Sequence, residues 1–139
     1  MKQAVERLTV PGSGRGLTDI TAELSQWVGA TGIRIGMLTA FVPHTSASIL
    51  IQENADPHVL ADIEAFFAKL VPDGDPSYRH RQEGPDDMPA HIRSALTQTQ
   101  VSVPVLDGAL ALGTWQGVYL FEHRTRPRTR ELIAHLVGE

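Results

Sequence analysis

The stretch "IRIGMLTAFVPHTSASILIQE", Ile33–Glu53, contains two apolar runs separated by a polar break. Residues 33–42 predict a long strand buried on at least one side, and residues 46–53 predict the next one. Between them stand Pro43, His44, Thr45 and Ser46. A plain turn does not need a histidine and a row of hydroxyls. Either the break is a polar crossover that satisfies its own backbone, or His44 is presented for chemistry.

Outward from this pair, the pattern continues to alternate. Residues 2–10 (KQAVERLTV) read as an early strand stopped by PGSGRG. Thr18 or Asp19 can cap a helix through TDITAELSQWV, with Ile20, Leu24, Trp27 and Val28 on one face and Gly29 and Gly32 ending it. Asn54 and Asp56 precede Pro57, a helix start, and place Val59, Ile63, Phe66, Phe67 and Leu70 on an expected core face. VPDGDPSYRHRQEGPDD is a loop of about 17 residues, longer than ordinary connections and of a kind that is often functional. DMPAHIRSAL reads as a short helix with Pro89 in its first turn. TQVSVPV and ALALG flank Asp107–Gly108, a hairpin signal. TWQGVYLFEHR and RELIAHLVG read as the last two strands, joined by the basic turn TRPRT. Six or seven mostly antiparallel strands with two or three helices make a compact α+β protein, one domain over residues 1–139.

Composition narrows the function. The chain has 42% hydrophobic and 20% charged residues, as an ordinary globular core requires. A net charge of −4 argues against a nucleic-acid partner, which needs a basic footprint, but permits a small phosphorylated ligand on a local arginine cluster. The absence of cysteine excludes disulfides and thiolate chemistry, so a metal site would use His, Asp or Glu. No apolar window long enough to span a membrane is present, and the N-terminus does not read as a signal peptide; a cytoplasmic location is the expectation.

Of six histidines, His44, His80 and His91 border the long loop from separate elements. Three imidazoles with an open fourth position suit catalytic zinc, although their spacing is equally that of scattered loop histidines. Alternation along GTWQGVYLFEHR puts Gln116, Glu122 and Arg124 on one face. That face is either an ordinary Arg–Glu pair or a general base, Glu122, beside a phosphate clamp, Arg124. Asp56 reads first as a helix cap. PGSGRG is no phosphate-binding loop, and HTSAS lacks the nucleophile elbow of a serine hydrolase.

The segments HTSASILIQENADPHVLADIEAFF, DDMPAHIRSAL, GTWQGVYLFEHR and the closing GE together resemble the YjbQ-like family over Leu8–Glu139. That resemblance implies an α+β fold assembled as a homotrimer and a divalent metal, zinc, held by His44, His80 and His91, with magnesium an option for a diphosphate substrate. It implies a pocket of Thr45, Ser46, Asn54, Asp56, Trp115 and Arg130, with Gln116, Glu122 and Arg124 as catalytic residues. It further implies thiamine-phosphate synthase activity, joining a hydroxymethylpyrimidine diphosphate to a thiazole phosphate with release of pyrophosphate. The alternatives are a non-catalytic metabolite-binding homotrimer and a metal enzyme for another small phosphorylated substrate. A TIM barrel, the usual thiamine-phosphate synthase fold, needs roughly 200 residues or more, and this chain is too short for one.

Overall fold

A computed structural model describes residues 1–139. The strands are β1 (Lys2–Val10), β2 (Gly16–Asp19), β3 (Gly36–Phe41), β4 (Ala47–Glu53), β5 (Gln100–Leu106), β6 (Ala109–Leu110), β7 (Gln116–Glu122) and β8 (Arg130–Gly138). The helices are α1 (Thr21–Thr31), α2 (Pro57–Leu70) and α3 (Asp87–Leu96). Two antiparallel sheets result, a long one ordered β1-β8-β3-β5-β6 and a short one ordered β2-β7-β4. The α+β expectation therefore holds, with one strand more than expected.

The opening pair belongs to two different sheets. β3 pairs with β5 and β8, whereas β4 pairs with β7. Pro43–Ser46 is thus the passage from one sheet to the other. Alternate residues of both sheets meet in one core: Leu38 and Ala40 from β3, Ile49 from β4, Val118 and Leu120 from β7, Leu132 and Leu136 from β8. Leu24 and Val28 of α1 join it. Complete burial of such aliphatic side chains stabilises by about 1.5–3 kcal/mol each.

Local chemistry explains most ends. Asp107 (φ 52°) and Gly108 (φ 80°) both adopt the left-handed backbone that closes the two-residue β5–β6 hairpin. Gly32 (φ 73°) caps α1, while Gly29 lies inside the helix. Asp56 caps α2 by accepting the His58 amide, with Pro57 at the helix start.

Two expectations fail. Thr18 and Asp19 lie in β2, paired with Leu120 and Tyr119, so neither is the cap residue of α1; Asp19 Oδ1 still accepts the Thr21 amide at 2.9 Å. The four-residue strand GLTD is too short to show a period. The expected core face of α2 is not buried either: no α2 residue is, and Phe66 and Leu70 are 60% and 55% exposed. Only Phe67 meets an aromatic of the short sheet, with its ring 5.5 Å from Phe121. No helix is long and apolar enough to cross a membrane.

Candidate functional site

α3 begins at Asp87, and one turn later the same face carries His91. Both point at the long loop, where His80 completes a group. One ligand atom from each of His80, Asp87 and His91 lies within 4.8 Å of the others. His80 Nε2 is 2.7 Å and His91 Nε2 3.2 Å from Asp87 Oδ2. Zinc bonds of about 2.0–2.1 Å would set ligand atoms roughly 3.3 Å apart, so this spacing fits a cation. His91 Nδ1 donates to the Thr45 carbonyl at 2.8 Å, so loss of the Nε2 proton to an incoming cation would turn that lone pair toward the group. Asp87 is buried, whereas His80 is 49% exposed and gives the group an open side.

Arg124 anchors the carboxylate from behind. Its Nη1 donates to Asp87 Oδ1 at 2.8 Å, its Nε to Asp86 Oδ2 at 2.9 Å and its Nη2 to the Glu83 carbonyl at 2.8 Å. Burial works to raise the Asp87 carboxyl, but hydrogen bonding with His80 and the charges of His91 and Arg124 outweigh it and hold the group below its ordinary value. Burial opposes ionisation of Asp86 as well, yet Arg124 and the Thr125 amide hold it well below the carboxylate range. Every edge of Arg124 is occupied, so it positions Asp87 and is no phosphate clamp, contrary to expectation.

Glu122 is likewise committed. It accepts Arg130 Nε at 2.7 Å and Nη2 at 2.6 Å, and the His123 and Arg124 amides at 3.0 and 3.1 Å. A carboxylate holding four donors in a buried pair has no lone pair ready for a proton, so the expected general base is instead a structural counterion. Arg130 Nη2 also reaches the Ser46 carbonyl and Oγ, while Nη1 has no protein partner.

His44 stands outside the three-residue group. Its Nε2 accepts the Glu131 amide at 2.9 Å, so the proton of the neutral ring resides on Nδ1 and neither nitrogen offers a free lone pair. Burial, then Arg130, pushes its pKa below the ordinary value. Asp87, not His44, is the third member of the group with His80 and His91. His44, Thr45, Ser46, Thr99 and Arg130 instead line a hollow of about 430 Å³. An adjoining hollow of about 260 Å³ shares His44, Thr45 and Thr99 and reaches His91.

The remaining candidates lie elsewhere. Ala47 pairs with Glu122 and Glu53 with Gln116, at opposite ends of the β4–β7 ladder. Six residues of strand are about 20 Å. Asn54, Asp56, Trp115 and Gln116 therefore occupy the far rim: Asn54 Nδ2 donates to the Gln116 carbonyl, and Gln116 Oε1 accepts the Gly113 amide at 2.8 Å. Sharing a face of β7 with Glu122 did not bring Gln116 near it.

A family model described as UPF0047 protein YjbQ-like matches residues 6–139. The chain belongs to the YjbQ-like family. It is 52% identical over 138 residues to UPF0047 protein sll1880 of Synechocystis, covering 99% of this chain and 94% of that protein. It is 44% identical over 133 residues to UPF0047 protein YjbQ of Escherichia coli O157:H7, covering 95% and 96%. A YbjQ-like protein of unknown function from Sulfolobus solfataricus superposes with a TM-score of 0.89 at 27% identity, covering 99% of each chain. A conserved hypothetical protein from Thermus thermophilus gives 0.83 at 37% identity, covering 95% of this chain and 99% of that one. For this YjbQ-like chain, Asp87 is the site residue that sequence reading missed. Its signal was the D-x-x-x-H spacing to His91, one helical turn on a single face.

Proposed function

We propose that the chain is a divalent-metal enzyme acting on a small phosphorylated substrate, and that its reaction is of the thiamine-phosphate synthase type. On that reading a hydroxymethylpyrimidine diphosphate is joined to a thiazole phosphate and pyrophosphate leaves. The observation that carries it is the convergence of His80, Asp87 and His91 beside a hollow bordered by Arg130. A bound cation would supply Lewis-acid stabilisation for a departing diphosphate. The protein's part is binding and charge. Arg130 keeps Nη1 for a phosphate oxygen while Glu122 and Ser46 fix its plane. Neutral His44 donates from Nδ1, because Nε2 is already an acceptor. The Thr45 hydroxyl supplies a further donor on the same wall. A charged phosphorylated substrate does not cross a bilayer unaided, which accords with a cytoplasmic location.

Titration of the metal-free protein with zinc and with magnesium tests the first half. His91→Ala and Asp87→Asn should lose the binding while retaining the fold. A wild-type chain that binds no divalent cation ends the proposal. Single-turnover incubation with both precursors, read as pyrophosphate release, tests the second half. One observation favours the non-catalytic alternative: Glu122, the expected base, is fully committed to Arg130 and two amides. A metal-loaded protein that binds the precursors without turnover would establish that reading. Homotrimer assembly belongs to the same proposal, since the exposed Phe66 and Leu70 of α2 offer apolar surface to cover; solution mass measurement tests it.

A further inference from the structure

β7 separates two environments. Glu122 faces Arg130, while its neighbour Phe121 points to the opposite side, toward α2. There a groove of about 320 Å³ runs between α2, the loop before β2 and α3. Ala61, Ala65 and Ala68 form its helical wall, and Phe121 and Arg93 line it on the other side. Arg93 is 2% exposed, yet no carboxylate pairs with it. Its one side-chain hydrogen bond runs from Nη2 to the Val71 carbonyl at 2.9 Å, and Nε is buried without a partner. Burial, with Arg15 second, pushes its pKa below the ordinary value, but a guanidinium does not give up its proton in a protein.

The neighbouring charges do not resolve this. Arg15 directs both Nη atoms to Asp73, at 2.8 and 3.0 Å, and its Nε to the His123 carbonyl. Glu64 lines the groove but directs Oε1 to the Leu17 amide at 3.1 Å. Buried charges are ordinarily paired, because an unpaired one keeps its full desolvation penalty. The other two buried arginines, Arg124 and Arg130, both have acidic partners, and so does half-buried Arg15. Arg93 is a cation without an anion, at the side of a metabolite-sized groove with small apolar walls.

We infer that this groove binds a small organic anion, a carboxylate or phosphate with a short apolar body, whose charged end meets the Arg93 guanidinium and whose body lies against Phe121 and the α2 alanines. The site is separate from the metal group and does not depend on the proposed function. Thermal unfolding of the full chain is followed while propionate or inorganic phosphate is titrated at constant ionic strength against chloride. A saturable rise in Tm, about 9 °C at a hundredfold excess over Kd, is expected. It should persist in His91→Ala and disappear in Arg93→Met. Ala65→Phe, which fills the groove and keeps Arg93, should abolish it as well, so a poorly folded Arg93→Met does not decide the matter. No rise above chloride, or a rise kept in Ala65→Phe, overturns the inference. So does loss of self-association in Arg93→Met without any anion response, since the counterion would then be a second copy's carboxylate.

Discussion

The two ends of the short sheet carry similar residue types and use them oppositely. At the Glu122 end, Glu122, Arg124 and Arg130 are buried and interlocked, and His44 stands beside them at the sheet crossover. At the Gln116 end, Asn54, Asp56, Trp115 and Gln116 are exposed and serve the chain locally, as a cap and a turn brace. A polar group gains chemical interest from what its neighbours leave free, and the buried end leaves specific atoms free: Arg130 Nη1 and His44 Nδ1.

The sharpest way to break this contrast is Glu122→Ala. It strands Arg130 in the interior and should cost about 3–5 kcal/mol in denaturant unfolding; a loss under about 1 kcal/mol would put the Glu122 end on the same footing as the rim. Next is Arg124→Gln, which leaves all three candidate ligands but frees Asp87. It should weaken zinc binding about 10–100-fold in a competition titration, whereas Gln116→Ala should leave it unchanged.

The third test is pH. His123 is fully buried with its pKa pushed down to about 3, by burial first and then by Arg93, Arg15 and Arg130. The unfolded chain takes up this proton near pH 6.5 while the folded chain refuses it, so His123's contribution is intact above about 6.5 and is lost as pH falls toward 3. Stability should drop by about 1 kcal/mol per pH unit across that window from this group, and His123→Leu should flatten the slope. The smallest effects belong to the rim. Asp56→Ala should cost about 1 kcal/mol through the lost α2 cap, and Trp115→Ala, at a side chain 64% exposed, under about 0.5 kcal/mol.

What the sequence made legible follows from the range of each interaction. α3 was readable to its ends because Pro89 and the helical spacing are local, and the β5–β6 hairpin because Asp107–Gly108 specifies its own turn. The faces of β7 followed from period two, yet alternation states which side a residue faces and not how far along the strand it lies, hence the misplacement of Gln116. β2 was missed because its pairing with β7 comes from residues about a hundred positions away. Histidine type suggested His44 as a ligand, but only its contact with the Glu131 amide, 87 residues on, shows that its lone pair is taken. Asp87 was visible as spacing and went unread because it sits at a loop–helix boundary.

The passage between sheets at Pro43–Ser46 has a kinetic consequence. Thr45 accepts from His91 across 46 residues, and Ser46 from Arg130 across 84. Such long closures form late and slow the search for the native state. The site therefore comes into being with the docking of one sheet on the other, and the onset of cation binding during refolding should keep time with that final step.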